Sequence, residues 1–226
     1  MIADFLHVES VRKVFSAEAG EVVALDDVDL RAGRGEFICL RGASGSGKST
    51  LLNVLAGLES PDRGSVVVGG QEMAGSSEDI RAHVRLTKLG IVFQDDNVLF
   101  ELSAIDNLLL PLEALGVDGP AAREQAESAL ARVGLGDLCD RLPAAMSGGQ
   151  RQRVGVARAL TGGRSAILAD EPTGSLDSVT SRDLFALFRQ LSDEGLLVVV
   201  ATHDPIAEQF ATRVVDMVDG RLTERA

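Results

Sequence analysis

The sequence predicts an α/β fold: a mainly parallel sheet, an antiparallel β part near the N-terminus, and a block of helices inserted between two α/β halves. Three observations carry this prediction. Residues 5–30 alternate apolar and polar side chains, as strands with one wet face do. Residues 37–40, 166–169 and 196–201 are short unbroken apolar runs, as in parallel strands covered on both sides. From about 95 to 160 the apolar residues instead recur at helical spacing.

In chain order, residues 5–15 and 22–30 read as antiparallel strands joined by a turn at 16–20. Residues 37–40 form a buried strand, and a glycine-rich stretch follows at once. A helix at 50–58 places Leu51, Leu52, Val54, Leu55 and Leu58 on its apolar side and stops near Gly57. Residues 66–68 and 90–93 are further strands. The helical block holds helices at 104–115, 120–133 and 148–160, and Pro120 suits a first helical turn. After it come a strand at 166–169, an amphipathic helix at 178–192, and strands at 196–201 and 213–218. Strands alternating with helices give a parallel sheet. Residues 1–226 thus read as a single domain, with 1–94 and 161–226 as its α/β core and about 95–160 as the helical part. We find no internal repeat or low-complexity tract.

The bulk composition excludes several functions. With 22 basic and 34 acidic residues the net charge is −12, which repels a phosphate backbone and argues against nucleic acid as a partner. Cys39 and Cys139 lie far apart in no metal-binding spacing, and read as reduced thiols of a cytoplasmic protein. Asp4, His7 and Glu9 interrupt any early apolar run, so no secretory signal is expected. No apolar run approaches the ~20 residues of a spanning helix.

Three motifs carry chemistry. Gly42-Ala43-Ser44-Gly45-Ser46-Gly47-Lys48-Ser49-Thr50 fits Gly-x-x-x-x-Gly-Lys-Ser/Thr between a strand and a helix. Its glycines let backbone N–H groups wrap phosphate oxygens at a helix N-terminus. Lys48 would reach the β- and γ-phosphates, and the Ser49 hydroxyl would ligate Mg²⁺. The fold class is therefore a P-loop NTPase core. Second, Asp170 and Glu171 end a buried strand, where paired carboxylates are costly unless a cation meets them. Asp170 would hold Mg²⁺ through water, and Glu171 would act as base toward the attacking water. Third, Ser147-Gly148-Gly149-Gln150, led by Met146, opens a helix and forms another anion site. Two such helix ends are hard to place on one nucleotide, but fit if a second copy supplies one.

Together these motifs resemble the nucleotide-binding subunit of ATP-binding-cassette (ABC) transporters, over essentially the whole chain. Ser147 to Gln150 match the family signature, with Met146 in place of its usual leading leucine. By the same resemblance Gln94 is the glutamine that contacts Mg²⁺ and the attacking water, and Ser175-Leu176-Asp177 is the loop that crosses the dimer. His203 in Ala201-Thr202-His203-Asp204 matches the histidine that contacts the γ-phosphate. Phe15 matches the aromatic that stacks on adenine, for which a ring face suffices.

The resemblance implies two copies closed head to tail around two ATP molecules. Each ATP would lie between residues 42–50 of one copy and 147–150 of the other. Hydrolysis would drive a transmembrane permease on a separate chain, with the cassette peripheral on the inner face of the membrane. Residues 102–112 and 202–205 resemble the lipoprotein-release and macrolide-exporter type, which implies export or extraction from the membrane. Asp95 and Asp96 depart from the family's usual residues after Gln94, and read either as a solvated loop or as acids that meet a basic residue on the permease. Two other functions remain compatible with these motifs: regulation of a membrane complex without transport, as in the cell-division ATPase of this subfamily, and, against the charge, work on nucleic acid.

Overall fold

The computed structural model describes residues 4–17, 20–93 and 98–224. The N-terminal alternation becomes β1 (Leu6–Ala17) and β2 (Gly20–Ala32), a long antiparallel hairpin with several bulges. β3 (Phe37–Arg41) is a short buried strand that runs into the glycine-rich loop and then α1 (Lys48–Leu55). Helix α1 ends earlier than its apolar pattern implies. Gly57 takes the left-handed conformation (φ 65°) and its N–H donates to the Val54 carbonyl, closing the helix. β4 (Arg63–Val68) pairs onto β1 and the two-residue β5 (Gln71–Glu72) onto β4, giving an antiparallel sheet of order β2-β1-β4-β5.

The second sheet is the one that positions the site. α2 (Glu78–Thr87) precedes β6 (Leu89–Val92), and α3 (Ala104–Ala114), α4 (Gly119–Arg132) and α5 (Gly148–Leu160) form the helical block. β7 (Ala166–Asp170), α6 (Ser178–Asp193), β8 (Leu197–Thr202), β9 (Arg213–Val218) and β10 (Arg221–Glu224) complete the chain. The strand order is β10-β9-β3-β8-β7-β6. All neighbours are parallel except β9 and β10.

Alternation along these strands builds two cores. Phe37, Cys39, Ile167, Ala169, Val198 and Val200 face α3 to α6. Ile38, Leu40, Leu168, Val199 and Ala201 face α1 and the antiparallel sheet. Each strand therefore buries both faces, which is why its sequence shows no polar alternation. The register aligns the carboxyl ends of three strands: Arg41 pairs with Thr202, and Asp170 with Ala201. In an open parallel sheet ligands collect at that edge.

Candidate active site

The loop after β3 is shaped by contacts that tolerate no side chain. A Cβ at Gly42 would lie 2.4 Å from the Met217 carbonyl oxygen, and one at Gly47 2.4 Å from that of Ala24. Gly45 and Gly47 have positive φ (81° and 109°), so Gly47 is required for conformation as well as space, while Gly45, with open space around it, is favoured by conformation alone. The loop closes on itself: Ser46 N–H donates to the Ala43 carbonyl at 3.2 Å. Lys48, nearly buried, folds its ammonium back to the carbonyls of Gly42 (2.8 Å) and Ala43 (3.1 Å). It thus sits over the concave side of the loop, 3.9 Å from Oε1 of Glu171.

Glu171 follows β7 in a left-handed conformation (φ 44°), unusual for a side chain of its size. Its N–H donates to the Ala201 carbonyl at 2.8 Å, and its carbonyl accepts from Gly174 at 3.1 Å. These two bonds hold the strain and turn the carboxylate toward the loop. Oε2 accepts from the Thr202 hydroxyl (3.0 Å) and the His203 N–H (3.4 Å), while Oε1 lies 3.0 Å from Nδ1 of His203. His203 itself is largely exposed, with its ring free to face a ligand. Thr202 was not singled out from the sequence. A lone threonine ending a β-branched strand carries no signal apart from its neighbour His203.

Asp170 is the electrostatic oddity. Burial pushes its carboxyl above the ordinary range, the charge of Glu171 adds to this, and the Ser49 hydroxyl and Lys48 act against it. Its Oδ1 is buried with no hydrogen-bond partner among the described residues, as is the Ser46 hydroxyl. An orphaned carboxylate oxygen beside a serine hydroxyl matches the oxygen ligands of a hard divalent cation.

Two open cavities flank the loop. One, of about 700 Å³, is lined by Phe15, Val22, Val23, Ala24, Ser44, Gly45, Gly47, Lys48, Ser49, Thr50, Glu171 and His203. Phe15 is partly exposed on its wall, with the Lys13 ammonium 5.0 Å from the ring centroid. The other, of about 550 Å³, lies between the same loop, including Gly42, Ala43 and Ser46, and the strand end at Asp216 to Asp219.

The structure brings Phe15, the loop, Asp170, Glu171 and His203 together, with Ser147 to Gln150 and Asp177 outside the two cavities that flank the loop. Ser147 caps α5 through a reciprocal box: its hydroxyl accepts from Gln150 N–H (3.3 Å), and Gln150 Oε1 accepts from Ser147 N–H (3.0 Å). Asp177 caps α6, accepting from Val179 N–H, Thr180 N–H and the Thr180 hydroxyl at 2.7–3.0 Å. Gln94, Asp95 and Asp96 lie outside the described residues. Gln152, buried on α5, donates to the Phe93 carbonyl at 3.5 Å and ties that helix to the end of β6.

Fold and loop together define a P-loop nucleotide-binding domain with an inserted helical block. The chain belongs to the ABC transporter family, whose model matches residues 25–174, and is an ATPase cassette of that family. It is 40% identical over 97% of its length to the macrolide export ATP-binding/permease protein MacB of Shewanella sp. (strain W3-18-1). It is 42% identical over 98% of its length to that of Burkholderia pseudomallei (strain 1710b). The chain spans about a third (34%) of the length of these curated relatives. Among solved structures, the ATP-binding cassette MJ0796, in a dimeric post-hydrolysis state with ADP and Pi, superposes with a TM-score of 0.88 at 35% identity, covering 97% of both chains. A second dimeric structure of MJ0796, described as a bacterial ABC transporter cassette, matches equally well. Among the described residues no helix is long and apolar enough to cross a membrane.

Proposed function

We propose that this chain supplies one half of each of two composite ATP sites, hydrolyses ATP there as a Mg²⁺ complex, and drives a membrane permease in export or extraction. The observation that carries the reading is Glu171. Its carboxylate is fixed by Thr202 and His203 at the mouth of the cavity, 3.9 Å from Lys48 in the phosphate-binding loop.

The roles follow from these positions. Backbone N–H groups of residues 42–50 cradle the phosphates, and Lys48 turns from the loop carbonyls to the β- and γ-phosphates when they arrive. Phe15 offers its exposed ring to the adenine. Ser49 and Asp170, with Gln94, would hold Mg²⁺, which neutralises phosphate charge when bound. Glu171 accepts the proton of the attacking water, and His203, bound to Glu171 through Nδ1, presents its other nitrogen toward the γ-phosphate. The Ser147 to Gln150 helix end completes the site of a second copy, since in its own chain it lines neither cavity beside the loop. Residues of about 95–160 act as the subdomain that carries this signature, and the segment from Gln94 to Asp96 as the contact for the permease. Since the family relatives carry the name of macrolide exporters, export is the favoured direction of work, at the cytoplasmic face of the membrane.

The experiment is Glu171→Gln. We expect ATP affinity within about threefold of the parent and turnover reduced at least 100-fold, in line with general-base removal. Steady-state hydrolysis at the parent rate would sink the assignment of Glu171.

A further inference from the structure

We infer that Thr202 is a positioning residue for hydrolysis: its buried hydroxyl fixes the Glu171 carboxylate and links it to the turn that carries His203. The inference rests on Glu171 being the base.

β8 is otherwise apolar, Leu197-Val198-Val199-Val200-Ala201, and fully buried. Thr202 ends it with no exposed surface. A buried hydroxyl is costly unless bonded, and this one is bonded in both directions. It accepts from the Asp204 N–H at 3.0 Å and donates to Oε2 of Glu171 at 3.0 Å. The Asp204 N–H has one proton and spends it on this hydroxyl. The hydroxyl proton is therefore directed at the carboxylate, and the pair cannot reverse.

The turn beyond is rigid for its own reasons. Asp204 Oδ1 accepts from the Ile206 N–H at 2.9 Å, and Oδ2 from the Thr173 hydroxyl at 3.3 Å. Thr173 belongs to the segment that follows Glu171. A closed loop of contacts thus joins the two ends of the site: Glu171, Thr202, Asp204, Thr173.

The consequence for Glu171 is a division of labour between its oxygens. Oε2 is held by Thr202 and, at 3.4 Å, by the His203 N–H. Oε1 is left facing the His203 ring and Lys48, on the cavity side. Without the hydroxyl, Oε2 keeps only the long backbone donor, the Asp204 N–H loses its acceptor, and the carboxylate is left to swing about its remaining contact with the exposed His203 ring, away from the water it must deprotonate. Positioning errors of this kind fall on the chemical step, not on nucleotide binding.

The test compares Thr202→Val, which keeps the branched shape, with Thr202→Ser, which keeps the hydroxyl. ATP affinity, single-turnover hydrolysis with Mg²⁺-ATP and thermal midpoint are measured for each, with Glu171→Gln alongside. We expect Thr202→Val to hydrolyse about tenfold more slowly or worse, as loss of a hydrogen bond to a charged group implies, with ATP affinity within about twofold. Thr202→Ser should stay within about threefold of the parent. Parent-like hydrolysis in Thr202→Val overturns the inference, as does equal impairment of the Val and Ser variants, which would locate the role in packing. If Thr202→Val does not fold, Thr202→Ser against Thr202→Ala poses the same question, since both lack the methyl and only one has the hydroxyl. Equal rates in that pair overturn the inference. A parent-like Glu171→Gln would instead remove its premise.

Discussion

At the scale of single residues, the site holds charge in places where the protein alone cannot satisfy it. Asp170 is raised by burial and by Glu171, so its ionised form is the costly one. For a carboxyl raised above its unfolded value, that cost is absent at low pH and grows as pH climbs through the raised value. At neutral pH the fold without nucleotide therefore carries a penalty that a cation would offset. Asp170→Asn should raise the thermal midpoint of the nucleotide-free chain by about 2–4 °C and lose most of the extra stabilisation given by Mg²⁺-ATP. Melting curves with and without Mg²⁺-ATP check this; a lower midpoint in the nucleotide-free variant would contradict it. The sequence disclosed the loop, Asp170 and Glu171 because their chemistry follows from residue type and spacing. It placed Thr202 within a motif but gave it no role in the site, because that role lies in a contact 31 residues away in the chain. Phe15 became legible only by resemblance, since one phenylalanine carries no pattern of its own, and His203 by resemblance together with its place just past a buried strand.

At the scale of elements, the signature helix α5 is held by a close approach. A Cβ on Gly149 would come 2.4 Å from Cγ2 of Thr180, at the start of α6. This gives Gly149 a packing role inside the chain, separate from any role toward a nucleotide. Gly149→Ala should cost about 1–3 kcal/mol, the usual penalty for overpacking. Adding Thr180→Ser removes the clashing methyl yet keeps the hydroxyl that binds Asp177, and should recover most of the loss. Denaturant titration of both variants is the measurement; no recovery in the double variant would place the cost elsewhere. Elements with strong apolar patterns were read from sequence within a few residues, including β3, α5, α6 and β9. Those it missed bury little. α2 hides only Val84, β5 has two residues, and β10 is a largely polar edge strand. Hydrophobic periodicity reports burial, so β5 and β10 leave little trace in it; α2 is different, since Ile80 and Val84 stand one helical turn apart in a charged segment and its amphipathic pattern was there to be read.

At the scale of the whole molecule, the sheet delivers the loop, Asp170, Glu171 and His203 to one edge, while the Ser147 helix end stays clear of both cavities at that edge. Our account makes the chain half of a site, with symmetry supplying the rest: in a two-fold dimer each copy would lend its signature to the other. Nucleotide binding and signature are then separable in one chain and inseparable in two. The most direct measurement is the mass of the Glu171→Gln chain in solution with saturating Mg²⁺-ATP, alone and with Ser147→Arg added, alongside the ATP affinity of each. We predict a dimer for Glu171→Gln and a monomer for the double variant, with affinities within about threefold of each other when both are measured at chain concentrations too low for dimer to form, because Ser147 does not touch the nucleotide of its own chain. A Glu171→Gln chain that stays monomeric when saturated, or a Ser147→Arg change that abolishes ATP binding to the single chain, would contradict the composite site.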